Sequence, residues 1–369
     1  MILRALLLLP ATVAFAADNY LVYLGTYTNT SKSKGIYAVA FDGKAGKLGT
    51  PVLAAETPSP SFLAINARRR FLYAVAEGKP PQVSSFAIDA GTGKLTLLNT
   101  EPVPGSGPCY ISLDRRGRHA FVANYGSGNV LVFPLGTDGR LKPPSANIQH
   151  SGSGGDPKRQ SGPHAHSIRL SPDEKYAVAA DLGIDQLLVY RFEPASGRLT
   201  PNEPPSVKLK PGSGPRHFAF HPNKRVMYSI NELASTVSAF DWNGGRGTLE
   251  QFQTISTLPS GFSGNNTTAE IVVHPNGRFV YGSNRGHDSI AVFSADKRGT
   301  LRLVEHTPTQ GNVPRNFAID PAGKYLFAAN QRTDNVVVFR IDPKTGRLAP
   351  AGTSVEVGSP VCVRFLKAD

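Results

Sequence analysis

The segment Pro314–Phe339, PRNFAIDPAGKYLFAANQRTDNVVVF, contains the pattern that decides the fold. It reads as a short apolar alternation, a DPAG turn, a second alternation that ends in Ala-Asn, a polar turn and a V-x-V-F run. Alternation interrupted by Gly, Pro, Asn and Asp is typical of β-strands joined by tight hairpins. A further strand is predicted after the Gly346-Arg347-Leu348 turn. One copy of the segment therefore predicts four antiparallel strands.

Copies of this segment recur along almost the whole chain. They begin at residues 60, 108, 163, 215, 268, 314 and 360, so their spacing is 46 to 55 residues. A repeat of this length with four strands per copy is typical of a β-propeller, in which each copy forms one blade. The turn before each predicted fourth strand has the form x-G-x-L, with its leucine at Leu95, Leu141, Leu199, Leu249, Leu301 and Leu348. The sequence therefore predicts an all-β fold.

The two ends of the chain predict how the ring closes. The last copy stops after one strand, residues 360–365, whereas Tyr20–Thr26, Gly35–Asp42 and the stretch after Leu48 supply three more strands. Six complete copies and one blade shared between the two ends make a seven-bladed propeller. Closure by the terminal strands leaves no sheet edge open. We predict a single propeller domain over residues 18–369.

The first residues, MILRALLLLPATVAFA, have the pattern of a secretory signal peptide. A short positive start at Arg4, an apolar run over residues 5–9 and an Ala-Phe-Ala cleavage site at residues 14–16 fit that class. A transmembrane anchor needs about 20 apolar residues, so no membrane anchor is predicted. Residues 1–17 are expected to be removed on export, which places the protein in the periplasm or outside the cell.

The chain is basic, with 40 Lys and Arg against 27 Asp and Glu and a formal net charge of +13. Basic residues are scattered through blade turns such as Arg68-Arg69-Arg70, without the aromatic and basic cluster of a nucleic-acid module, so no nucleic-acid partner is predicted. The charge favours small anionic molecules or cell-surface polymers as partners.

Cys109 and Cys362 lie on blades that are not neighbours and are expected to remain free buried thiols. No Cys/His spacing predicts a metal site, and no cofactor is predicted.

Two positions vary between the copies while the residues around them stay uniform. The first, after the starting proline, holds Ser61, Cys109, His166, Arg216, Ala269, Arg315 and Val361. The second, after the asparagine that ends the second alternation, holds Glu77, Tyr125, Leu182, Glu232, Arg285 and Gln331. Because the scaffold does not need these residues, we expect them to ring a solvated channel mouth and to carry the chemistry.

Consecutive copies place ionisable residues at or beside these positions, namely His164, His166, Arg216, His217, Glu232 and Arg285. A base, a carboxylate and two guanidinium groups suit proton transfer beside a developing oxyanion. Strict alternation along the strand would turn His217 to the opposite face, toward the apolar side chains of the neighbouring blade. The alternative is that these charges only solvate the mouth or pair with one another.

Five short motifs stand out along residues 20–365: G-T-Y-T near Gly25, G-P-H-A-H-S from Gly162, G-P-R-H from Gly214, N-E at Asn231 and S-N-R from Ser283. Together they resemble the motifs of the seven-bladed lactonase family, which contains bacterial propeller-type 6-phosphogluconolactonases and fungal carboxy-muconate lactonizing enzymes. The resemblance implies the catalytic residues His166 (or else His164), Arg216, Glu232 and Arg285. It also implies a lactone hydrolase that opens a sugar lactone to the aldonic acid without a metal.

Some questions stay open at this point. Either His166 or Glu232 is the general base, and His164, His217 and Arg315 are expected to contact a small anionic or sugar lactone. We expect a monomer. Because 6-phosphogluconolactonase activity is cytoplasmic, an export signal favours an unphosphorylated or other extracytoplasmic lactone. The alternatives are a lactonizing cycloisomerase, a non-catalytic propeller that binds a cell-envelope ligand, and a metal-dependent gluconolactonase.

Overall fold

The computed structural model describes residues 19–29 and 31–367, which form seven β-sheets and one short 3-10 helix, Leu182–Ile184. Blade 1 contains β1 Asn19–Thr26, β2 Gly35–Asp42, β3 Lys47–Leu48 and β4 Val52–Glu56. Blade 2 contains β5 Phe62–Ile65, β6 Phe71–Ala76, β7 Gln82–Ile88 and β8 Leu95–Pro102. Blade 3 contains β9 Pro108–Leu113, β10 His119–Asn124, β11 Asn129–Pro134 and β12 Ala146–Gln149. The predicted signal peptide, residues 1–17, lies outside the described residues.

The remaining blades repeat the same order. Blade 4 contains β13 Ala165–Leu170, β14 Tyr176–Asp181, β15 Gln186–Glu193 and β16 Arg198–Lys208. Blade 5 contains β17 Pro215–Phe220, β18 Val226–Asn231, β19 Thr236–Asn243 and β20 Thr248–Ser256. Blade 6 contains β21 Thr267–Val273, β22 Phe279–Arg285, β23 Ser289–Ala295 and β24 Leu301–Pro308. Blade 7 contains β25 Pro314–Ile319, β26 Tyr325–Asn330, β27 Asn335–Ile341 and β28 Leu348–Glu356, and the last strand is β29 Pro360–Lys367.

The ring closes as the sequence predicts. Strand β29 pairs antiparallel with β1 and becomes the innermost strand of blade 1. The outer strand of that blade is split, because β3 and β4 both pair with β2. The prediction of a seven-bladed propeller with a blade shared between the two ends of the chain is therefore confirmed.

Blade 3 departs from the predicted strand positions. In the other complete blades the fourth strand begins within one residue of the leucine in the x-G-x-L turn. In blade 3, Leu141 forms only an isolated bridge with Leu135, and β12 begins at Ala146. Pro143 and Pro144 lie between them, and proline has no N–H to donate to the ladder.

The first strand of each blade lies innermost, and these strands contact one another around a ring in the order β5, β9, β13, β17, β21, β25 and β29. The apolar core lies between the faces of adjacent blades. Tyrosines of the second strands also tie blades together: the Tyr228 and Tyr281 hydroxyls donate to the carbonyls of Gly299 and Gly346 at 2.7 and 2.8 Å. At Gly346, where φ is +75°, an added Cβ would lie 2.4 Å from the Phe279 ring, so this turn requires glycine.

Candidate active site

A recurrent β-bulge sets the position of the variable residues at the start of the innermost strands. In blade 4, Ala165 pairs with Asp181 and Ser167 with Ala180, which leaves His166 as the extra residue. The same irregularity in blades 5 and 7 leaves Arg216 and Arg315 without a partner in the ladder. A bulge interrupts the alternation of side chains along a strand. His166, Arg216 and Arg315 therefore point into the centre of the ring.

These bulges surround a cavity of about 350 Å³ at the end of the ring where the innermost strands begin. It is lined by Glu77, Tyr125, Arg159, His166, Glu232, Thr267, Arg285 and Arg315. Arg216 and His217 lie deeper, in a narrow extension of the channel that also contacts His166 and Arg315. The sequence predicted solvated groups at the mouth, but only 4% of His166, 2% of Arg216 and 5% of Glu232 is exposed. The site is therefore a buried, charged pocket.

Glu232, which directly follows β18, lies at the centre of three arginines. Its Oε2 atom is 3.0 Å from Arg216 Nε and 2.8 Å from Arg285 Nη2, while Oε1 accepts from Arg159 Nη2 at 2.8 Å. Burial by itself would raise the pKa of the Glu232 carboxyl, but the arginines, Arg285 foremost, hold that pKa far below its usual range. Glu232 is thus a permanent anion that fixes three guanidinium groups.

Arg159 was not among the predicted site residues. It lies in the loop between β12 and β13, and Arg159 also donates to the Tyr125 hydroxyl at 3.2 Å. The loop is held by Gln160, whose amide donates to Asp185 at 2.7 Å, and by the His150–Asp181 pair at 2.6 Å. The signal in the sequence was the 55-residue spacing between the copies at 108 and 163, which marked an insertion at this point.

Arg285 and Arg216 are almost fully buried cations. Arg285 Nη2 also donates to the Thr268 carbonyl at 2.7 Å, and burial lowers the pKa of Arg285 to about 10. Arg216 Nη1 donates to the Ala269 carbonyl at 2.7 Å, and burial together with nearby Arg315 lowers the pKa of Arg216. Both arginines therefore depend on Glu232 for charge compensation.

His166 is a neutral imidazole within this cation-rich pocket. Burial and then the charge of Arg216 hold the pKa of His166 well below its usual value. Its Nδ1 atom is 3.6 Å from the Cys109 thiol, and its ring lies edge-on to Tyr125 with the centroids 5.5 Å apart. Cys109 and Cys362 are both buried free thiols, as expected.

His217 does not pack against apolar side chains of the neighbouring blade but contacts a carboxylate there, so the prediction from strict alternation is wrong. The bulge at Arg216 breaks the alternation, and the His217 ring lies in the channel, edge-on to Phe62 and Tyr110 at centroid distances of 5.6 and 5.0 Å. His217 Nδ1 is 3.0 Å from Glu270 Oε1, and its Nε2 lies 3.2 Å from Arg216 Nη1. His217 therefore lines the deep extension and supports Arg216 from below.

Glu270 is a second buried carboxylate that the sequence analysis missed. Besides His217, it accepts from the Ile271 N–H at 3.0 Å and from the Asn316 amide. Burial raises the pKa of the Glu270 carboxyl above its usual value. Its position next to Ala269 in the first variable register carries no sequence signal, because only the bulge in β21 turns Glu270 inward.

Arg315 lines the cavity from the start of blade 7, two blades away from Glu232. Its guanidinium sits over the Tyr27 ring at 5.3 Å, and the Tyr27 hydroxyl donates to Glu77 Oε2 at 2.7 Å. Within residues 19–29 and 31–367, no hydrogen bond or ion pair of the Arg315 guanidinium is found. Arg315 is therefore a cavity cation whose guanidinium donors are open in the described part of the chain.

His164 contacts the site only indirectly. Its ring stacks on Tyr125 with the centroids 4.5 Å apart, and its Nδ1 lies 2.8 Å from the Tyr125 carbonyl oxygen. His164 does not line the cavity, whereas Tyr125 does.

In the described ranges, no three His, Cys, Asp or Glu side chains are grouped so that they could hold a metal ion. Within the same ranges, no helix is long and apolar enough to cross a membrane.

Fold and site together define a class of propeller whose central pocket can stabilise a developing oxyanion with guanidinium groups and accept a proton on a neutral imidazole. The family described as "Lactonase, 7-bladed beta-propeller" matches residues 21–365. The chain therefore belongs to the seven-bladed β-propeller lactonase family, as its motifs indicated. Lactone hydrolysis is the activity that this family supports.

Named relatives agree with this assignment. The chain is 41% identical to the 6-phosphogluconolactonase of Bacillus subtilis (strain 168), over 94% of this chain and 98% of that protein. It is 34% identical to a 6-phosphogluconolactonase of Formosa agariphila, over 80% of this chain and 85% of that protein. The periplasmic gluconolactonase of Pseudomonas aeruginosa has a similar structure, with a TM-score of 0.91 and 36% identity over 95% of this chain and 100% of that one.

Proposed function

We propose that the protein hydrolyses a sugar lactone of the 6-phosphogluconolactone or gluconolactone type in the cavity around Glu232. The observation that carries this proposal is the Glu232 carboxylate that holds three arginines beside the neutral His166. A water oxygen attacks the lactone carbonyl carbon, and the carbonyl electron pair moves onto its oxygen. The ring C–O bond then breaks, and the leaving oxygen takes up the proton that the attacking water lost, which yields the hydroxy acid.

His166 is the group that accepts the proton from water. The Cys109 thiol lies 3.6 to 3.8 Å from three backbone carbonyls, of which it can donate to one. Its sulfur then accepts from His166 Nδ1–H, which leaves the lone pair of Nε2 for the water. Glu232 is a poor base, because both of its oxygens are held in ion pairs and its pKa is far below neutrality.

The arginines supply the electrostatic part of catalysis. Arg285 and Arg159 line the cavity, so they can face the carbonyl oxygen as it becomes negative. A guanidinium stays charged throughout the neutral range, and here Glu232 holds its plane in place. Arg216 lies below the cavity and acts on the substrate through Glu232. The charge on Glu232 therefore orients the donors before the substrate arrives.

The other side of the cavity fits the polar body of a sugar lactone. Arg315 offers donors to a phosphate, carboxylate or hydroxyl group, and the adjacent Glu77 offers an acceptor. A volume of about 350 Å³ lies within the usual range of small-molecule sites. We also propose a monomer, because the terminal strands close the ring without a strand from a second copy.

We also propose that the protein is exported. The support is the signal-peptide pattern over residues 1–17 and the similarity to a protein described as a periplasmic gluconolactonase. The test is secretion of a reporter enzyme fused to residues 1–17, compared with the same fusion in which Leu6→Arg and Leu8→Arg interrupt the apolar run. We expect reporter activity outside the cytoplasm with the unchanged fusion and none there with the Leu6→Arg, Leu8→Arg fusion. Retention of both fusions in the cytoplasm would contradict export.

Initial rates on 6-phosphogluconolactone, glucono-lactone and a few acyl lactones test the function, with the spontaneous hydrolysis subtracted. We expect hydrolysis of at least one sugar lactone that is unchanged by a chelator. Hydrolysis that a chelator abolishes would place the protein among metal-dependent lactonases. Absence of any hydrolysis would leave a non-catalytic binding propeller, and ring closure of a hydroxy or muconate acid without net hydrolysis would indicate a cycloisomerase.

A further inference from the structure

The face of the ring opposite the active site carries a dense group of arginines. The first hairpin turn of each blade lies there, at the far end of the innermost strand. In blade 2 this turn contains Arg68, Arg69 and Arg70, and in blade 3 it contains Arg115, Arg116 and Arg118. Residues that are scattered along the sequence thus become neighbours, because blades 2 and 3 are adjacent in the ring.

The same turn in the other blades shows that the fold does not require these arginines. In six blades the turn closes with the same hydrogen bond, from an N–H to the carbonyl three residues earlier. The turn sequences are NARRR at 66–70, DRRGR at 114–118, SPDEK at 171–175, HPNKR at 221–225, HPNGR at 274–278 and DPAGK at 320–324. Only blades 2 and 3 have three arginines each, so their charge is a local addition to a common backbone.

Two grooves run beside these turns. One, of about 550 Å³, lies between the turns of blades 2 and 3 and is lined by Arg68, Arg70, Arg115, Arg116 and Arg118 among other residues. The second, of about 350 Å³, is lined by Arg68, Arg69, Arg70 and Lys367 among others. In the described part of the chain, neither groove is lined by an Asp or Glu side chain.

Four of these cations have no acidic partner among the described residues, although Arg70 lies over the Phe71 ring. The guanidinium groups of Arg68, Arg70, Arg116 and Arg118, here called the arginine patch, make no hydrogen bond or ion pair with the residues that the structure describes. By contrast, Arg115 pairs with Glu174. Four exposed like charges on adjacent turns repel one another, and a bound polyanion would remove that repulsion.

We propose that the arginine patch binds an anionic polysaccharide whose carboxylate or sulfate groups lie along the two grooves. Arginine forks bind such oxyanions in a bidentate manner. Among the described residues that line the grooves, the aromatic one, Phe71, is only 9% exposed and offers no platform for stacking nucleic-acid bases. In the part of the chain that the structure describes, no exposed large apolar side chain lines the grooves, so they offer no anchor for a lipid surface. This binding would hold the enzyme on an envelope or matrix polymer while the active site, on the other face, stays open.

The test measures binding of the purified protein to heparin and to polygalacturonate at about 0.1 M salt. The patch variant carries Arg68→Gln, Arg70→Gln, Arg116→Gln and Arg118→Gln. The control variant carries Lys224→Gln, Arg225→Gln, Lys297→Gln and Arg298→Gln, which removes the same charge from exposed turns elsewhere. We expect binding about tenfold or more weaker in the patch variant and less than about threefold weaker in the control, with lactone hydrolysis unchanged in both.

Three outcomes would overturn the proposal. Equal losses of polysaccharide binding in the two variants would mean that binding depends on net charge alone and not on the arginine patch. No binding of the parent protein to either polysaccharide would remove the ligand class. Patch-dependent binding to a DNA duplex as tight as binding to heparin would make this a nucleic-acid surface instead. Thermal unfolding provides a further readout, since heparin should raise the Tm of the parent and control proteins but not that of the patch variant.

Discussion

Glu232 and Glu270 lie on neighbouring blades and are about equally buried, with 5% and 8% of each residue exposed, yet the protein treats their charges in opposite ways. Glu232 contacts three arginines, and its pKa is lowered in spite of burial. Glu270 contacts His217, Asn316 and a backbone N–H, and burial raises its pKa. At similar burial, the partners decide the direction in which the pKa moves. The region around Glu232 is therefore built to hold a fixed charge with three cations, whereas Glu270 is held by hydrogen bonds from groups without a fixed charge.

The two regions are connected through Arg216. Glu270 Oε1 is next to His217, His217 Nε2 is next to Arg216 Nη1, and Arg216 Nε donates to Glu232. On the other side, the Asn316 amide donates to Glu270, and its oxygen accepts from the Val363 N–H of the closing strand at 2.9 Å. Glu270 is thus a positioning residue for the arginines and does not itself reach the cavity that we assign to substrate.

The largest combined effect, on both rate and stability, is expected for Glu232→Gln, which removes the fixed charge. Arg159, Arg216 and Arg285 then repel one another without an anion, so kcat/KM should fall by about two to three powers of ten. Breaking a buried ion pair typically costs about 3–5 kcal/mol, so the free energy of unfolding should fall as well. Steady-state kinetics and denaturant unfolding measure both effects. Full activity together with unchanged stability would refute the role of Glu232.

A smaller effect, on binding, is expected for Arg315→Gln. A hydrogen bond to a charged group contributes about 1.5–3 kcal/mol, so KM for 6-phosphogluconolactone should rise by about 10- to 100-fold while kcat changes little. The matched substrate is glucono-lactone, which lacks the phosphate, and the matched variant is Arg315→Lys, which keeps the charge. An equal rise in KM for both lactones would mean that Arg315 binds the shared ring hydroxyls and not the anion.

The smallest change in kcat/KM is expected at Glu270. Glu270→Ala leaves His217 without its partner, so kcat should fall by about tenfold through disorder of Arg216, with KM nearly unchanged. In Glu270→Gln the amide oxygen still accepts from His217, and kcat should stay within about threefold of the parent. Both variants change a buried side chain, so thermal unfolding controls for stability. Equal losses of kcat in the two would argue against a positioning role.

The sequence predicted the repeated scaffold well but not the local irregularities that shape the site. The repeat fixed the blade count and closure because every copy obeys the same alternation and turn chemistry. The variable registers contain His166, Arg216, Glu232 and Arg285, which the structure brings together. The bulges could not be predicted, because a bulge is defined by how two strands pair, and the sequence of one strand does not show its pairing register. The facing direction of His217 and the inward position of Glu270 therefore escaped prediction. Arg159 was missed because it lies in an insertion outside the repeat.

The central claim is that His166 accepts the proton while Glu232 serves as a fixed anion, and the pH dependence of kcat/KM tests this most directly. A neutral base with a lowered pKa keeps activity as the pH falls, so the acid limb of the parent should lie below about pH 6.5. In His166→Asn the rate should be about 10²–10⁴ times lower and the limb should disappear, whereas Glu232→Gln should retain the limb at a reduced rate. A limb that disappears in Glu232→Gln and persists in His166→Asn would contradict the account and make Glu232 the base.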